Sequence, residues 1–527
     1  MPQERTHRAT RSVHATLILI VLGVAAWPRL LGYNAVPLWL DEAWRANLIM
    51  DDGWLGRLFE GSTTSAVTSF VYAALVHGLG AAHDTEWVLR LSSLAPGIVA
   101  VLLFVPLVNQ ATGSAMLGYL AALAGATQPM LLSYSKELKP YSFELCLHML
   151  LALMALSYIA ALRQDGTRSR WTMGIVISGP LATLSAANLV FLLPGWYLAI
   201  FYACYKSLRR IPIMLIVSAV VSALLLLLQY RYLWSHAAKD AGLIEFWKDG
   251  FFSGSGSRIG WIVSRLSDTL SASFESSREP PAAMTRALGA VALAGVIGSL
   301  SSRKLHIFLL IVSPVLALVA ANALRVWPLG PFRVNAFLYG YLIVLVCVGC
   351  AVVIEALRMR YRITAHLLSG GLVAVFLAYW VPGLPGVMRR APELHPADQD
   401  VPAALMSLSA ALGPQCDQRS LVLINAAASH AVAYYTKHSA KYAPMLATNL
   451  GRCAELRPTV EAYLDPNRYE QTLQTELNGQ SSAWFLYSHL GESDIAVQKA
   501  AVRKFGSIDS ERTFAGAGIF RLTAAPK

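Results

Sequence analysis

Apolar runs of roughly 17–20 residues recur along this chain from Thr16 to Val381, and each is about the length a helix needs to cross the hydrocarbon core of a bilayer. They are Thr16–Leu31, Leu91–Val108, Ala115–Leu132, Tyr141–Leu162, Ile211–Tyr230, Leu305–Leu324, Val334–Ile354 and Ile363–Val381, with shorter ones at Thr172–Ala187, Leu189–Cys204 and Thr285–Leu300. Only 14% of the residues are charged, against about 25% in ordinary soluble domains, and mean hydropathy is +0.49. The runs predict a polytopic α-helical membrane protein with eleven spanning helices.

Charge placement predicts which side is which. Arg5, Arg8 and Arg11 precede the first run with no small-residue cleavage pattern after it, so residues 1–15 read as a retained cytoplasmic flank. The clusters Arg163/Arg168/Arg170, Lys206/Arg209/Arg210, Arg303/Lys304 and Arg358/Arg360/Arg362 all fall in the cytoplasm if Ala66–Ala82 does not span. These five segments hold fourteen basic residues against Glu4, Asp165 and Glu355, whereas the rest of the chain up to Val381 balances fifteen of each sign. The formal net charge of +12 is therefore a topology signal rather than a footprint for nucleic acid. Ala66–Ala82, with Thr68, Ser69 and His77 and closing glycines Gly78 and Gly80, reads as a helix in the outer interface.

The resulting organisation is a membrane domain over 16–381, with outer loops 32–90 and 231–284, followed by an extracytoplasmic domain over 382–527. Phe246, Trp247, Phe251 and Phe252 give the second loop an interfacial character, and Gly254-Ser255-Gly256-Ser257 gives it a flexible turn, so it reads as a closing loop or a solvated connector. In the C-terminal region Ser420–Ile424, Ala483–Tyr487 and Gly518–Leu522 read as strands, and Ser429–His438 and Ser493–Phe505 as helices, which predicts a small α/β domain. Cys416 and Cys453 are its only cysteines, and an oxidising compartment permits a disulfide between them. Cys146, Cys204, Cys347 and Cys350 lie in apolar runs and read as packing residues.

Three polar elements fall on the predicted outer side. The first is Asp41–Glu42, flanked by Trp39 and Trp44. Asp41 fits the N-cap of a helix over Glu42–Met50, and it equally fits a general base taking the proton of an incoming hydroxyl. The second is Ser135-Lys136-Glu137-Leu138-Lys139-Pro140-Tyr141, either a connector with snorkelling lysines or a phosphate cradle. In the cradle reading Lys136, Lys139 and Tyr141 donate, Glu137 supports a lysine, and Pro140 opens the next helix. The third runs from Arg325 to Arg333 through two prolines and a glycine, either a rigid turn or an anion clamp that Arg90 would join. No HExxH or paired His/Cys spacing appears, so no metal site is expected.

The acid pair, the Lys-Pro-Tyr element and the late Trp-Pro-Leu-Gly turn resemble, in that order, the motifs of the GT-C superfamily of membrane glycosyltransferases. Residues 14–381 are most similar to the protein O-mannosyltransferase and lipid A aminoarabinose transferase group, glycosyltransferase family 39. The resemblance implies a polyprenyl-phosphate-sugar donor as substrate and no cofactor. It also implies inverting transfer to a lipid, glycan or protein acceptor at the outer face of a bacterial-type inner membrane. It gives Asp41 and Glu42 the catalytic roles and Lys139 and Arg333 the donor phosphate, which Lys136, Tyr141, Arg325 and Arg90 would join in the cradle and clamp readings above. The family commonly reads E-A-R-P-Y where this chain has Glu137-Leu138-Lys139-Pro140-Tyr141, and the extra Pro331-Phe332 before Arg333 departs from its late turn. A transporter or flippase of an anionic lipid-linked solute, a lipid-linked glycan ligase and a membrane anchor for the C-terminal domain are the competing readings. A transporter would show internal repeats and broken helices at the midplane, whereas charge here gathers at the outer edge.

Overall fold

The computed structural model describes residues 2–33, 36–51, 53–59, 68–83, 85–165, 169–235, 241–254, 256–301, 304–360, 362–390, 399–413, 416, 419–462 and 464–525. Ala66, Val67, Arg168, Ser255 and Arg303 lie outside them, as do residues 391–398. The chain packs as two compact units. One comprises Met1–Leu31, Gly56–Ala74 and Leu91–Leu394; the other comprises Gly32–Leu55, Leu75–Arg90 and His395–Lys527. The linear division at 381/382 and the division by packing therefore differ: parts of the first outer loop pack with the C-terminal domain.

All eleven apolar runs contain helix. Among the described residues seven helices are long and apolar enough to cross a membrane: Ser12–Leu30, Glu86–Thr112, Tyr141–Arg163, Ile213–Tyr232, Ala282–Ser299, Leu305–Ala323 and Arg333–Met359. Ala115–Thr127 and Thr172–Ser185 are shorter apolar helices. Leu193–Leu208 and Arg362–Arg390 complete the set.

The expected run Ala115–Leu132 is broken rather than continuous. Pro129 lacks an N–H and holds Gln128 in an extended conformation, so a second helix, Pro129–Tyr134, starts there with Gln128 Oε1 accepting from Leu131 N–H at 2.6 Å. Gly78 and Gly80 likewise do not end a helix; they lie inside Phe70–Ala82. Gly80 serves close packing instead, since a Cβ there would collide with Met50.

In the membrane unit Ala336–Arg360 is the most buried long helix. It approaches Ala282–Ser299 at Gly295 and Gly349, where a Cβ would meet backbone of the other helix, the small-residue packing that membrane helices use. The second outer loop is mostly structured: Arg258–Ser273 is an amphipathic helix capped by Ser257, whose Oγ accepts from Gly260 N–H at 3.2 Å.

The C-terminal part of the other unit is a five-stranded mixed sheet. Its strands are β1 (Ser420–Asn425), β2 (Ala454–Thr459), β3 (Ser482–Ser488), β4 (Gly506–Phe514) and β5 (Ala517–Ala524), in the order β2-β1-β3-β5-β4. β1 pairs parallel with β2 and β3, while β5 pairs antiparallel with β3 and β4. Helices Ala426–Lys437 and Ala443–Cys453 make the crossover that a parallel β1–β2 pair requires. Cys416 and Cys453 form a disulfide.

Candidate functional site

The acid pair opens helix Leu40–Met50, but Asp41 is not its N-cap. Trp39 occupies that position in extended backbone, and Glu42, three residues on, accepts the Trp39 N–H at 3.4 Å through Oε2. Glu42 is fully buried and grips Arg90, also fully buried, as a fork: Arg90 Nε donates to Oε1 at 2.9 Å and Nη2 to Oε2 at 2.7 Å. Two more guanidinium hydrogens go to the carbonyls of Val36 at 2.8 Å and Pro37 at 3.1 Å. Leu38 N–H donates to the buried Tyr435 hydroxyl at 2.6 Å. Burial and nearby carboxylates hold the Tyr435 phenol protonated, well above its ordinary range.

Asp41 is half-buried on the same helix. Its flanking tryptophans meet histidines that follow two adjacent parallel strands of the C-terminal domain. Trp39 lies 5.9 Å from the ring of His489, the residue after β3; Trp44 stacks on His430, in the helix after β1, at 5.2 Å. Asn47 Nδ2 donates to the His430 carbonyl at 2.7 Å, and Asp51 pairs with Lys437 and His438. The acid pair is thus seated at the carboxyl edge of the parallel strands, where open α/β sheets place their ligands.

The Lys-Pro-Tyr element belongs to the membrane unit and is held by its own backbone. Ser93 Oγ donates to the Lys139 carbonyl at 2.6 Å, Lys139 N–H to the Glu137 carbonyl at 2.8 Å, and Ser135 Oγ to the Leu132 carbonyl at 2.6 Å. Lys136, Glu137 and Lys139 are all buried. Lys136 Nζ donates to the Leu31 carbonyl at 2.6 Å, and burial, then the neighbouring Arg29 charge, pull its pKa down to about 8. Ser133 Oγ donates to Glu137 Oε1 at 3.3 Å. Tyr141 begins helix Tyr141–Asp165 with its ring edge-on to Tyr134, centroids 4.9 Å apart, and Pro140 stands one residue before the helix rather than in its first turn.

In the late turn two asparagines, which the sequence reading did not single out, do the organising. Asn335 Nδ2 donates to the carbonyls of Pro328 and Gly330, both at 3.0 Å, and its Oδ1 accepts from Trp327 Nε1 at 2.8 Å. Asn322 Nδ2 donates to the carbonyls of Gly250 at 2.7 Å and Trp327 at 3.0 Å. Arg333 lies over the rings of Phe246 and Trp247, 5.7 and 5.8 Å from their centroids. Arg325 is exposed, in left-handed backbone at φ 58°, with Nη2 donating to the Phe252 carbonyl at 3.3 Å.

A further buried polar chain was also missed. Tyr341 hydroxyl meets His148 Nδ1 at 2.9 Å, His148 Nε2 meets Asn188 Oδ1 at 3.0 Å, and Asn188 Nδ2 donates to Glu144 Oε2 at 2.8 Å. The available signal was a set of Asn, His and Glu residues inside or between apolar runs, where a polar side chain is costly unless it has a partner. Asp41, Glu42 and Arg90 thus fall in one unit; Lys136, Glu137, Lys139, Tyr141, Arg325 and Arg333 fall in the other.

No family model and no curated protein matches the sequence. Solved structures do match. The archaeal oligosaccharyltransferase AglB from Archaeoglobus fulgidus, in complex with an inhibitory peptide and a dolichol-phosphate, aligns over 97% of this chain and 74% of its own at 14% identity, with TM-score 0.51. ArnT from Cupriavidus metallidurans in the apo state aligns over 98% of this chain and 100% of its own at 12% identity, with TM-score 0.49. The same protein bound to undecaprenyl phosphate gives 98%, 99%, 10% and 0.49. The chain shares its overall fold with AglB, and it is a multi-pass membrane protein.

Proposed function

We propose that this chain is an integral-membrane glycosyltransferase that moves a sugar from a polyprenyl-phosphate-linked donor to a hydroxyl acceptor at the extracytoplasmic face. The observation that carries the reading is the different treatment of two adjacent acids. Glu42 is fully buried in a fork with Arg90, whereas Asp41, the residue before it, is only half-buried. Glu42 is suited to fix the loop, and Asp41 to meet an acceptor. Arg90, with its donors engaged by Glu42 and two carbonyls, takes a positioning role rather than a phosphate-binding one. The dolichol-phosphate held by AglB supports a lipid-phosphate ligand in a protein of this fold.

In this reaction the acceptor oxygen attacks the anomeric carbon as the bond from that carbon to the phosphate oxygen breaks. Asp41 takes the acceptor proton, and polyprenyl phosphate leaves with the bonding pair, so the anomeric configuration inverts. Lys136 and Lys139 stabilise the charge developing on the leaving phosphate, with Tyr141 and Arg333 as further donors. Asp41→Asn keeps the size of the side chain but removes the base. Transfer, measured with purified protein and a panel of polyprenyl-phosphate sugars, is expected to fall by about 10²–10⁴-fold with donor binding little changed. Transfer at the parent rate would remove Asp41 from the chemistry.

A further inference from the structure

The C-terminal domain meets the acid pair through two histidines, and one of them bears on Asp41 itself. Asp41 and Trp44 are three residues apart on helix Leu40–Met50, so they share a face. His430 stacks on Trp44 with ring planes 17° apart, and its backbone carbonyl is fixed by Asn47 Nδ2 at 2.7 Å. Its ring is thereby held against the helix face that Trp44 and Asp41 share. We propose that His430 is a positioning residue for Asp41, presenting an imidazole N–H that orients the carboxylate toward the acceptor hydroxyl, so that the C-terminal domain contributes to the transfer step. This rests on the reading of Asp41 as the base.

Three further observations agree. The charge of Asp41 is felt at His430, where it opposes a larger lowering of the imidazole pKa by burial. A neutral imidazole follows, with one ring nitrogen donating and the other accepting. Of the charges on the packed faces, Lys437 and His438 on the same helix pair with Asp51, Glu42 on the facing helix is forked by Arg90, and the buried Arg45 stands four residues after Asp41 on that facing helix. His430 lies in the helix after β1 and His489 directly after β3, and their rings meet the two tryptophans flanking the acid pair. Both histidines that meet those tryptophans belong to the C-terminal domain.

The bland alternative is that His430 only fills space against Trp44, and His430→Phe separates the two. It keeps an aromatic ring for the stack and deletes both nitrogens. In steady-state assays of the full-length protein with a polyprenyl-phosphate sugar, kcat is expected to fall by about 10–100-fold, the range found when an orienting partner of an active group is lost. Donor KM and the melting temperature should stay at parent values, and His430→Gln should recover most of the rate. In the Asp41→Asn background, His430→Phe should cost less than about twofold, because the residues act as a unit. Parent kcat in His430→Phe, or an undiminished loss in the Asp41→Asn background, would overturn the proposal. A parent protein that transfers no sugar would instead defeat the functional reading, and histidine-selective NMR then decides the coupling. The His430 ring should titrate at lower pH in Asp41→Asn than in the parent, and an unmoved titration would overturn the proposal without reference to activity.

Discussion

The two units hold buried charge in contrasting ways. In the unit built around the C-terminal sheet, Glu42 and Arg90 are both fully buried and neutralise each other through two parallel hydrogen bonds. In the membrane unit, Lys136 is buried within reach of a second cation, Arg29, and its ammonium donates to a backbone carbonyl. The first arrangement is complete in itself and holds a loop in shape. The second places one cation near another, and burial together with that neighbouring charge lowers the lysine pKa to about 8. The forked pair of the first unit reads as scaffold, whereas the charge of Lys136 in the second depends on pH near 8.

Breaking the fork should have the largest effect. Arg90→Met leaves the Glu42 carboxylate buried without its guanidinium, which costs about 3–5 kcal/mol where such pairs are broken. A melting temperature several degrees below the parent's is expected in detergent, together with loss of transfer. The double variant Arg90→Met with Glu42→Leu should regain most of that stability, because removing both charges removes the penalty. Transfer should not return with it. A single variant as stable as the parent would mean that the fork is not what holds the loop.

The membrane unit was legible in the sequence because an apolar run of spanning length has few other uses, whereas the companion unit was only partly so. β1 and β3 are covered on both faces, so Leu421–Ile424 and Ala483–Tyr487 stand out as continuous apolar runs. β2 and β4 lie at the sheet edges and read as polar loop, Ala454–Thr459 and Gly506–Phe514, so both were missed. Helices Val401–Leu412, Ala443–Cys453 and Pro466–Glu476 escaped for a related reason: each exposes a polar face or is too short to signal alone. The candidate residues Asp41, Glu42, Lys136 and Lys139 were visible from their position beside apolar runs. Their partners were not. Glu42 and Arg90 are separated by 48 residues, and His430 lies some 390 residues beyond the acid pair, so no local pattern links them.

Lys136 gives the intermediate effect and a pH test of the contrast. Its folded-state pKa of about 8 lies below the ordinary 10.5, so the unfolded chain binds more protons between those values. Stability therefore rises as pH rises through that window, and the contribution is lost as pH falls through about 8. Binding of a phosphate should have the opposite slope, since only the protonated ammonium attracts it. Donor affinity, measured by titration with a polyprenyl-phosphate sugar, should decline above pH 8 in the parent and stay level in Lys136→Arg. At pH 7, Lys136→Met should weaken binding by roughly 10–100-fold, the equivalent of about 1.5–3 kcal/mol for a charged hydrogen bond. A melting temperature equal to or above the parent's would show that the lysine is kept for binding at some cost in stability. Unchanged affinity would return Lys136 to the role of an interfacial anchor.

The smallest effect separates the two arginines of the late turn, which the sequence treats alike. Arg333 lies over Phe246 and Trp247, an arrangement that restricts the guanidinium and contributes about 0.5–2 kcal/mol depending on how dry the contact is. Arg325 is exposed, and its Nη2 reaches the Phe252 carbonyl through a long side chain. An exposed cation is screened by water and salt and must give up rotamer freedom to bind, so its contribution is at most about 1 kcal/mol. Arg333→Gln should therefore weaken donor binding more than Arg325→Gln, which should change affinity by less than about fivefold and lose even that at high salt. The left-handed backbone at Arg325, φ 58°, gives a second handle on the same residue. Arg325→Gly would relieve it and should raise the melting temperature slightly while removing the charge. If Arg325→Gln instead matches or exceeds the loss in Arg333→Gln, the turn grips an anion through its exposed end, and stacking on Phe246 and Trp247 is only packing.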